Sequence, residues 1–127
     1  MSTCTICSVG ERAPGDSRCR PCNAARARAR RSKMGPADWR RNNLWAFYKI
    51  TPEQYDSLLA AQGGGCAVCS ATSNLCVDHD HACCAGPQTC GRCIRGILCR
   101  ECNRAEGMVG GDPERLRNLA NYIEGAL

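Results

Sequence analysis

The sequence predicts a small α+β fold held together by bound metal more than by an apolar core, and three observations lead there. The 127 residues include 13 cysteines but only one Phe, two Trp and three Tyr, with 13 Gly and 6 Pro, so bulky apolar side chains are too few for an ordinary core. Cys4/Cys7, Cys19/Cys22, Cys66/Cys69 and Cys99/Cys102 are CxxC pairs, the spacing at which a chain folds back to offer two thiolates to one tetrahedral ion. Leu75-Cys76-Val77-Asp78 alternates like a short strand running into His79, 94–98 returns as its partner, and 99–108 has the pattern of a short helix. The fold class is a small zinc-stapled α+β structure, a β-hairpin plus helix with flanking helices, preceded by an N-terminal Cys4 zinc knuckle.

Zinc is preferred to disulfides on grounds of compartment. Met1-Ser2-Thr3-Cys4 leads directly into a Cys knuckle without the apolar segment of a secretory signal, and no apolar run approaches membrane-spanning length. A cytoplasmic protein with no membrane partner is expected, in a compartment where thiols stay reduced and bind metal. The net charge of +5 is unevenly spread: residues 1–50 carry nine Arg and two Lys against three acids, and the rest carries six Arg against nine acids. A cationic arm before a mildly acidic module suits a nucleic-acid partner. Each Cys4 zinc site adds a charge of about −2, because four thiolates outweigh Zn2+, and the arginines partly balance it.

Along the chain, Cys4, Cys7, Cys19 and Cys22 form a compact knuckle pair, with Gly10, Pro14, Gly15 and Asp16 to reverse the chain between them. It serves either as a folding nucleus or as a small DNA-contacting finger. Asn23 to Lys33 follows as an Ala/Arg-rich helix stopped by Gly35-Pro36, with Arg26, Arg30 and Lys33 on one face and Arg28 and Arg31 beside it. Such a stripe suits a phosphate backbone, the alternative being a solvated basic linker. Residues 37–49 have helical spacing, with Leu44, Phe47 and Tyr48 as a short apolar stripe. Thr51-Pro52-Glu53-Gln54 is a capping-box start, Tyr55, Leu58 and Leu59 give that helix a buried face against the zinc module, and Gly63-Gly64-Gly65 ends it. The aromatics are assigned to core rather than to base stacking.

Cys66, Cys69, Cys99 and Cys102 enclose the only two histidines, His79 and His81. After His81, a turn-rich loop carries Cys83, Cys84, Cys90 and Cys93, so two zinc sites are expected and a third in this loop is the first reading. Adjacent cysteines rarely ligate one ion comfortably, so Cys76 or a histidine is the alternative for one of the four; otherwise Cys76 is a small apolar residue. Asn103 and Glu106 lie one turn apart on one helix face. Asp112 caps a last helix whose Leu116, Leu119, Ala120 and Ile123 are expected to point inward, covering the module or forming a dimer contact.

The order strand, Asp-His, hairpin and helix with Asn resembles the His-Me finger (HNH, ββα-metal) nuclease motif, and more closely the recombination endonuclease VII family. The residues that carry the resemblance are 58–64 leading to Cys66-Ala67-Val68-Cys69, then Val77-Asp78-His79-Asp80-His81, Arg95-Gly96-Ile97-Leu98-Cys99 and Cys102-Asn103-Arg104-Ala105-Glu106-Gly107, within about residues 51–124. The resemblance implies that Cys66, Cys69, Cys99 and Cys102 hold structural zinc and that Asp78 and Asn103 bind catalytic Mg2+, or Mn2+ in its place. It implies that His79 is the general base that activates water, and that His81 and Glu106 support metal or phosphate. Residues 36–127 would then be the nuclease domain, behind a knuckle and basic segment at 1–35, with Arg26, Arg28, Arg30, Arg31, Lys33 and Arg95 meeting DNA.

Elementary chemistry agrees with those roles. Phosphodiester hydrolysis needs a base that titrates near neutrality and a cation against the developing charge, and a carboxylate with an amide oxygen suits Mg2+. In a regular strand Asp78 and His79 would face opposite ways, so the chain must twist or bulge there for both to serve one phosphate. The competing assignments are zinc ligation by the histidines, a turn role for Asn103 and a solvated Glu106, which together would make a non-catalytic zinc-finger module that binds nucleic acid. The family's longer members continue into segments associated with junction binding, so nicking of DNA is expected at least as much as resolution of branched DNA. A small phage or mobile-element nuclease is the natural setting, with a homodimer as one arrangement.

Overall fold

The computed structural model describes residues 2–126; Met1 and Leu127, the outermost residues of the two expected domains, lie outside the described residues. The chain divides into two compact units after Arg40. In the first, Thr3 bridges Glu11 and Arg12 bridges Cys19, and the Cys4 N–H donates to Gly10 O at 2.9 Å, which closes a tight knuckle. Gly10 is required by space, because a Cβ there would come within 2.6 Å of Cys19 Sγ.

Helix α1 (Arg20–Ser32) starts three residues before the expected Asn23, with Cys19 as N-cap. Pro21 sets a helical φ in the first turn, which draws Cys22 into the helix. No residue of α1 is buried; Arg26, Arg28, Arg30 and Arg31 lie along it and Lys33 caps its end. Helix α2 (Pro36–Tyr48) contains the division between the units.

The second unit is built around a two-stranded antiparallel sheet, β1 (Leu75–His79) and β2 (Ile94–Cys99). Before it comes α3 (Pro52–Ala61), with the capping box in place: Thr51 Oγ1 accepts from the Gln54 N–H at 3.2 Å and Gln54 Oε1 from the Thr51 N–H at 2.8 Å. After it comes α4 (Arg100–Met108), which follows β2 without a loop and has Cys99 as N-cap. The core is two small clusters. Leu44, Ile50 and Val77 pack with Tyr48, Tyr55 and Ile94; Cys66, Leu98 and Cys99 pack with Ala71, Leu75 and Cys102. Thiol side chains thus do part of what aliphatic ones do in a larger core.

Two expectations fail here. Phe47 is 42% exposed and does not join Leu44 and Tyr48 in the core. Helix α5 (Pro113–Ile123) is capped as expected, with Asp112 Oδ1 accepting from the Glu114 and Arg115 N–H groups, but Leu116, Leu119, Ala120 and Ile123 are exposed rather than inward. A two-strand sheet offers little apolar surface, and α2, α3, α4 and the Cys66 knuckle have already used it.

Candidate functional site

The site is organised by an irregularity in the hairpin. Cα partners run Val77 with Ile97 and Asp78 with Gly96, then His79 with Ile94, so Arg95 is an extra residue opposite the Asp78–His79 step. The register shift falls at the Asp78–His79 step, where a twist or bulge is expected, and both Asp78 and His79 are buried, at 6% and 5% exposure. Arg95, released from the ladder, turns its guanidinium back on the strand. Its Nε donates to Asp78 Oδ2 at 2.9 Å, and its Nη2 to Asp78 Oδ1 at 3.1 Å and to Glu106 Oε1 at 2.7 Å. The Asp78 carboxylate first, then that of Glu106, pushes the Arg95 guanidinium further above its ordinary value.

His79 Nε2 lies 2.9 Å from Cys84 O and 3.1 Å from Gly86 O. Carbonyl oxygens only accept, so Nε2 carries a proton, and the tautomer these contacts select has its lone pair on Nδ1. The His81 ring lies 4.4 Å from that of His79, tilted by 43°. His81 also lines, with Asp80, Arg95, Glu106, Gly110 and Gly111, a cleft of about 480 Å3 beside the bulge. Asn103 is half-buried on α4, and its amide has no hydrogen-bond partner among the described residues. The structure thus joins Asp78, Arg95 and Glu106 through ion pairs and His79 to His81 through ring contact. It gives Asn103 no direct link to either group.

Three cysteine tetrads are the metal candidates. Cys4, Cys7, Cys19 and Cys22 form one tetrad, Cys66, Cys69, Cys99 and Cys102 a second, and Cys83, Cys84, Cys90 and Cys93 a third, with the sulfurs of each within 4.8 Å of one another. The sulfurs of four thiolates at Zn–S distances of about 2.3 Å form a tetrahedron with edges of about 3.8 Å. Separations of 3.7 Å for Cys7–Cys19, 3.6 Å for Cys69–Cys99 and 3.9 Å for both Cys83–Cys90 and Cys90–Cys93 fit that edge. All 13 cysteines are free, and these gaps are far beyond the about 2.05 Å of a disulfide. Cys76 stays outside the tetrads, donating to Leu98 O at 3.4 Å, and burial pushes its thiol up.

Protonation within the tetrads is uneven. Backbone N–H groups, that of Cys7 foremost, bring Cys4 down to about 6. Burial opposes ionisation of Cys66, yet the N–H groups of Cys69, Cys99 and Val68 outweigh it and bring it to about 6. Cys22, Cys83 and Cys102 are pushed up to about 12, chiefly by the neighbouring thiols Cys19, Cys90 and Cys99 respectively. Each cluster readily gives up a first proton and holds the last, a crowding of negative charge that a divalent ion relieves. In the first two tetrads the second CxxC pair straddles a helix start: Cys19 and Cys99 are N-caps, and Cys22 and Cys102 lie in the first turns of α1 and α4.

Two positioning residues carried no signal in the sequence. Gln62, just past α3, donates from Nε2 to Gly65 O at 2.7 Å and to Ile97 O at 2.6 Å, and accepts from the Ile97 N–H at 3.1 Å. One amide side chain therefore does for the outer edge of β2 what a third strand would. Thr89, at the tip of the Cys-rich loop, is buried, and its Oγ1 donates to Tyr48 O at 3.0 Å while its N–H donates to Phe47 O at 2.7 Å.

A protein-family model described as recombination endonuclease VII matches residues 41–125. The Gene 59 protein of Mycobacterium phage D29 is 32% identical over 85 residues, which are 63% of this chain and 47% of that protein. The Gene 59 protein of Mycobacterium phage L5 is 32% identical over 88 residues, 66% of this chain and 48% of that protein. The chain spans about half the length of these curated relatives. No solved structure matches. Because the family match takes in the Cys66 knuckle, the bulged hairpin, the Cys-rich loop and α4, and covers more than half of the chain, the chain belongs to the recombination endonuclease VII family.

Proposed function

We propose that the protein is a metal-dependent DNA endonuclease of the His-Me finger type, in which His79 activates the attacking water. One observation carries the proposal: His79 Nε2 is committed to two carbonyl oxygens beside a carboxylate cluster, which leaves Nδ1 as the basic atom. Asp78 and Asn103 offer a carboxylate and an uncommitted amide oxygen, hard donors that fit Mg2+ or Mn2+, and the bidentate grip of Arg95 on Asp78 marks the position as one that favours positive charge. When bound, the divalent ion supplies charge neutralisation at the phosphate. His81 and Glu106, on the wall of the cleft, would orient the phosphate, and Arg95 would reach it on leaving Asp78. The zinc tetrads are structural, and the exposed cations Arg26, Arg28, Arg30, Arg31 and Lys33 would follow the DNA backbone.

The phage origin of the two Gene 59 relatives supports action in a bacterial host cytoplasm. A homodimer belongs to the proposal through the exposed face of α5; a monomeric mass in sedimentation across the working concentration range would remove it. Purified protein should nick supercoiled plasmid with Mg2+ and not without a divalent ion, and His79→Ala should slow cutting by about 10²–10⁴-fold while keeping its zinc. Undiminished cutting by that variant ends the assignment of His79. Salt-sensitive DNA binding with no scission under any divalent metal would instead make the protein a binding module.

A further inference from the structure

The loop of residues 80–93, which joins the two strands, contains both the third cysteine tetrad and the carbonyls that hold His79. Cys84 belongs to both: its Sγ is in the tetrad, 4.0 Å from Cys83 Sγ, while its carbonyl oxygen accepts from His79 Nε2. Gly86, whose oxygen is the second acceptor, is two residues further on. The loop forms no strand or helix of its own, and what fixes it is sparse. Cys83 and Cys84 donate backbone N–H groups to Asp80 O, Asp80 N–H donates to Cys93 O, and Thr89 anchors the tip to the end of α2. An unclamped loop of this kind would hold two carbonyls on one imidazole only part of the time.

We propose that Cys83, Cys84, Cys90 and Cys93 bind a third soft, tetrahedral metal ion of the zinc class, and that this ion positions His79 by locking the Cys84 and Gly86 carbonyls onto its Nε2–H. The proposal deepens the endonuclease reading and takes from it the role of His79 as base. The sulfur separations fit a tetrahedral site as well as those of the other two tetrads do. The four cysteines are positioning residues, acting on the reaction through the histidine tautomer. This tetrad has no buried member, whereas each of the others has two, so it is also the site from which a chelator should take metal first.

The test compares the wild-type chain with Cys90→Ser, which removes an exposed ligand distant in sequence from both acceptor carbonyls. Native mass spectrometry should count three zinc ions in the wild type and two in the variant. Long-range 1H–15N correlation of the histidine rings should show a single Nε2–H tautomer for His79 in the wild type and a mixture in the variant. In the plasmid assay kcat should fall between roughly tenfold and 10⁴-fold, the upper end being the cost of a wrong tautomer at a catalytic histidine, with KM for DNA unchanged. Cys90→His, which restores a zinc ligand, should recover the third ion and the single tautomer. Three zinc ions in Cys90→Ser, or loss of one ion with tautomer and kcat unchanged, overturns the proposal. If Cys90→Ser fails to fold, withdrawing the most exposed ion from the wild type with a chromophoric chelator gives the same readouts. If the wild type cuts no DNA, the endonuclease reading falls, and the metal count and tautomer spectrum still decide this one.

Discussion

Replacing Gln62 by Leu tests whether one side chain closes the outer edge of the hairpin. The three hydrogen bonds of Gln62 fall on Ile97, whose side chain is fully buried, and on Gly65 at the turn into the Cys66 knuckle. Ile97 O keeps a second donor, the Ala67 N–H at 3.1 Å, but the Ile97 N–H has no other acceptor among the described residues. Stranding a buried N–H costs about 1–3 kcal/mol, and the two lost donor bonds about 0.5–1.5 kcal/mol each, reduced because Gln62 is only half-buried and Ile97 O keeps its second donor. The expected loss is about 2–4 kcal/mol. In a unit of this size 1 kcal/mol moves Tm by about 4–8 °C, so the melting point should drop by at least about 8 °C. Thermal and urea unfolding must be followed at one fixed free zinc concentration, since bound metal adds its own stabilisation by mass action. A loss under about 1 kcal/mol with an unchanged m-value would refute the edge-closing role.

Three further outcomes are expected. Gly65→Ala would put a Cβ 2.5 Å from Ser70 O, so the Cys66 knuckle must open, and native mass spectrometry should find one zinc fewer. Arg95→Gln should lower the Mg2+ concentration needed for half-maximal cutting several-fold by removing a competing cation from the buried Asp78. Burial raises the Tyr48 hydroxyl above its ordinary value of 10. Its contribution to stability is therefore complete below that value and lost as pH rises through the folded one, so absorbance at 295 nm should show a late-ionising tyrosine that Tyr48→Phe removes.

What could be read in the sequence follows from range. CxxC spacing, the Thr51 box, the Asp112 cap and strand alternation act within a few residues, and each element they announce is present. The bulge was legible because alternation alone would have parted Asp78 from His79. Gln62 and Thr89 were not legible: a lone amide or hydroxyl is ordinary in sequence, and their partners lie 35 and 41 residues away. Helix α5 misled for a related reason, since its amphipathic spacing says that a face is apolar without saying whether the sheet has surface left to cover it. The ion pair of Arg95 with Asp78 was not legible, because the extra residue in β2 that turns it there exists only in the paired strands.

The CxxC pairs that straddle the starts of α1 and α4 make helix and metal site one cooperative event. The first turn of α1 contains Cys22 and is capped by Cys19, so fraying that turn means letting go of two sulfurs, and losing the ion removes the anchor of the first turn. The five arginines of α1, with Arg20 at its start, keep their spacing along one helix only while that turn is held. With zinc in that tetrad, its supply would act as a rheostat on the row of arginines: a starved chain would keep its charge and lose the ruler that spaces it.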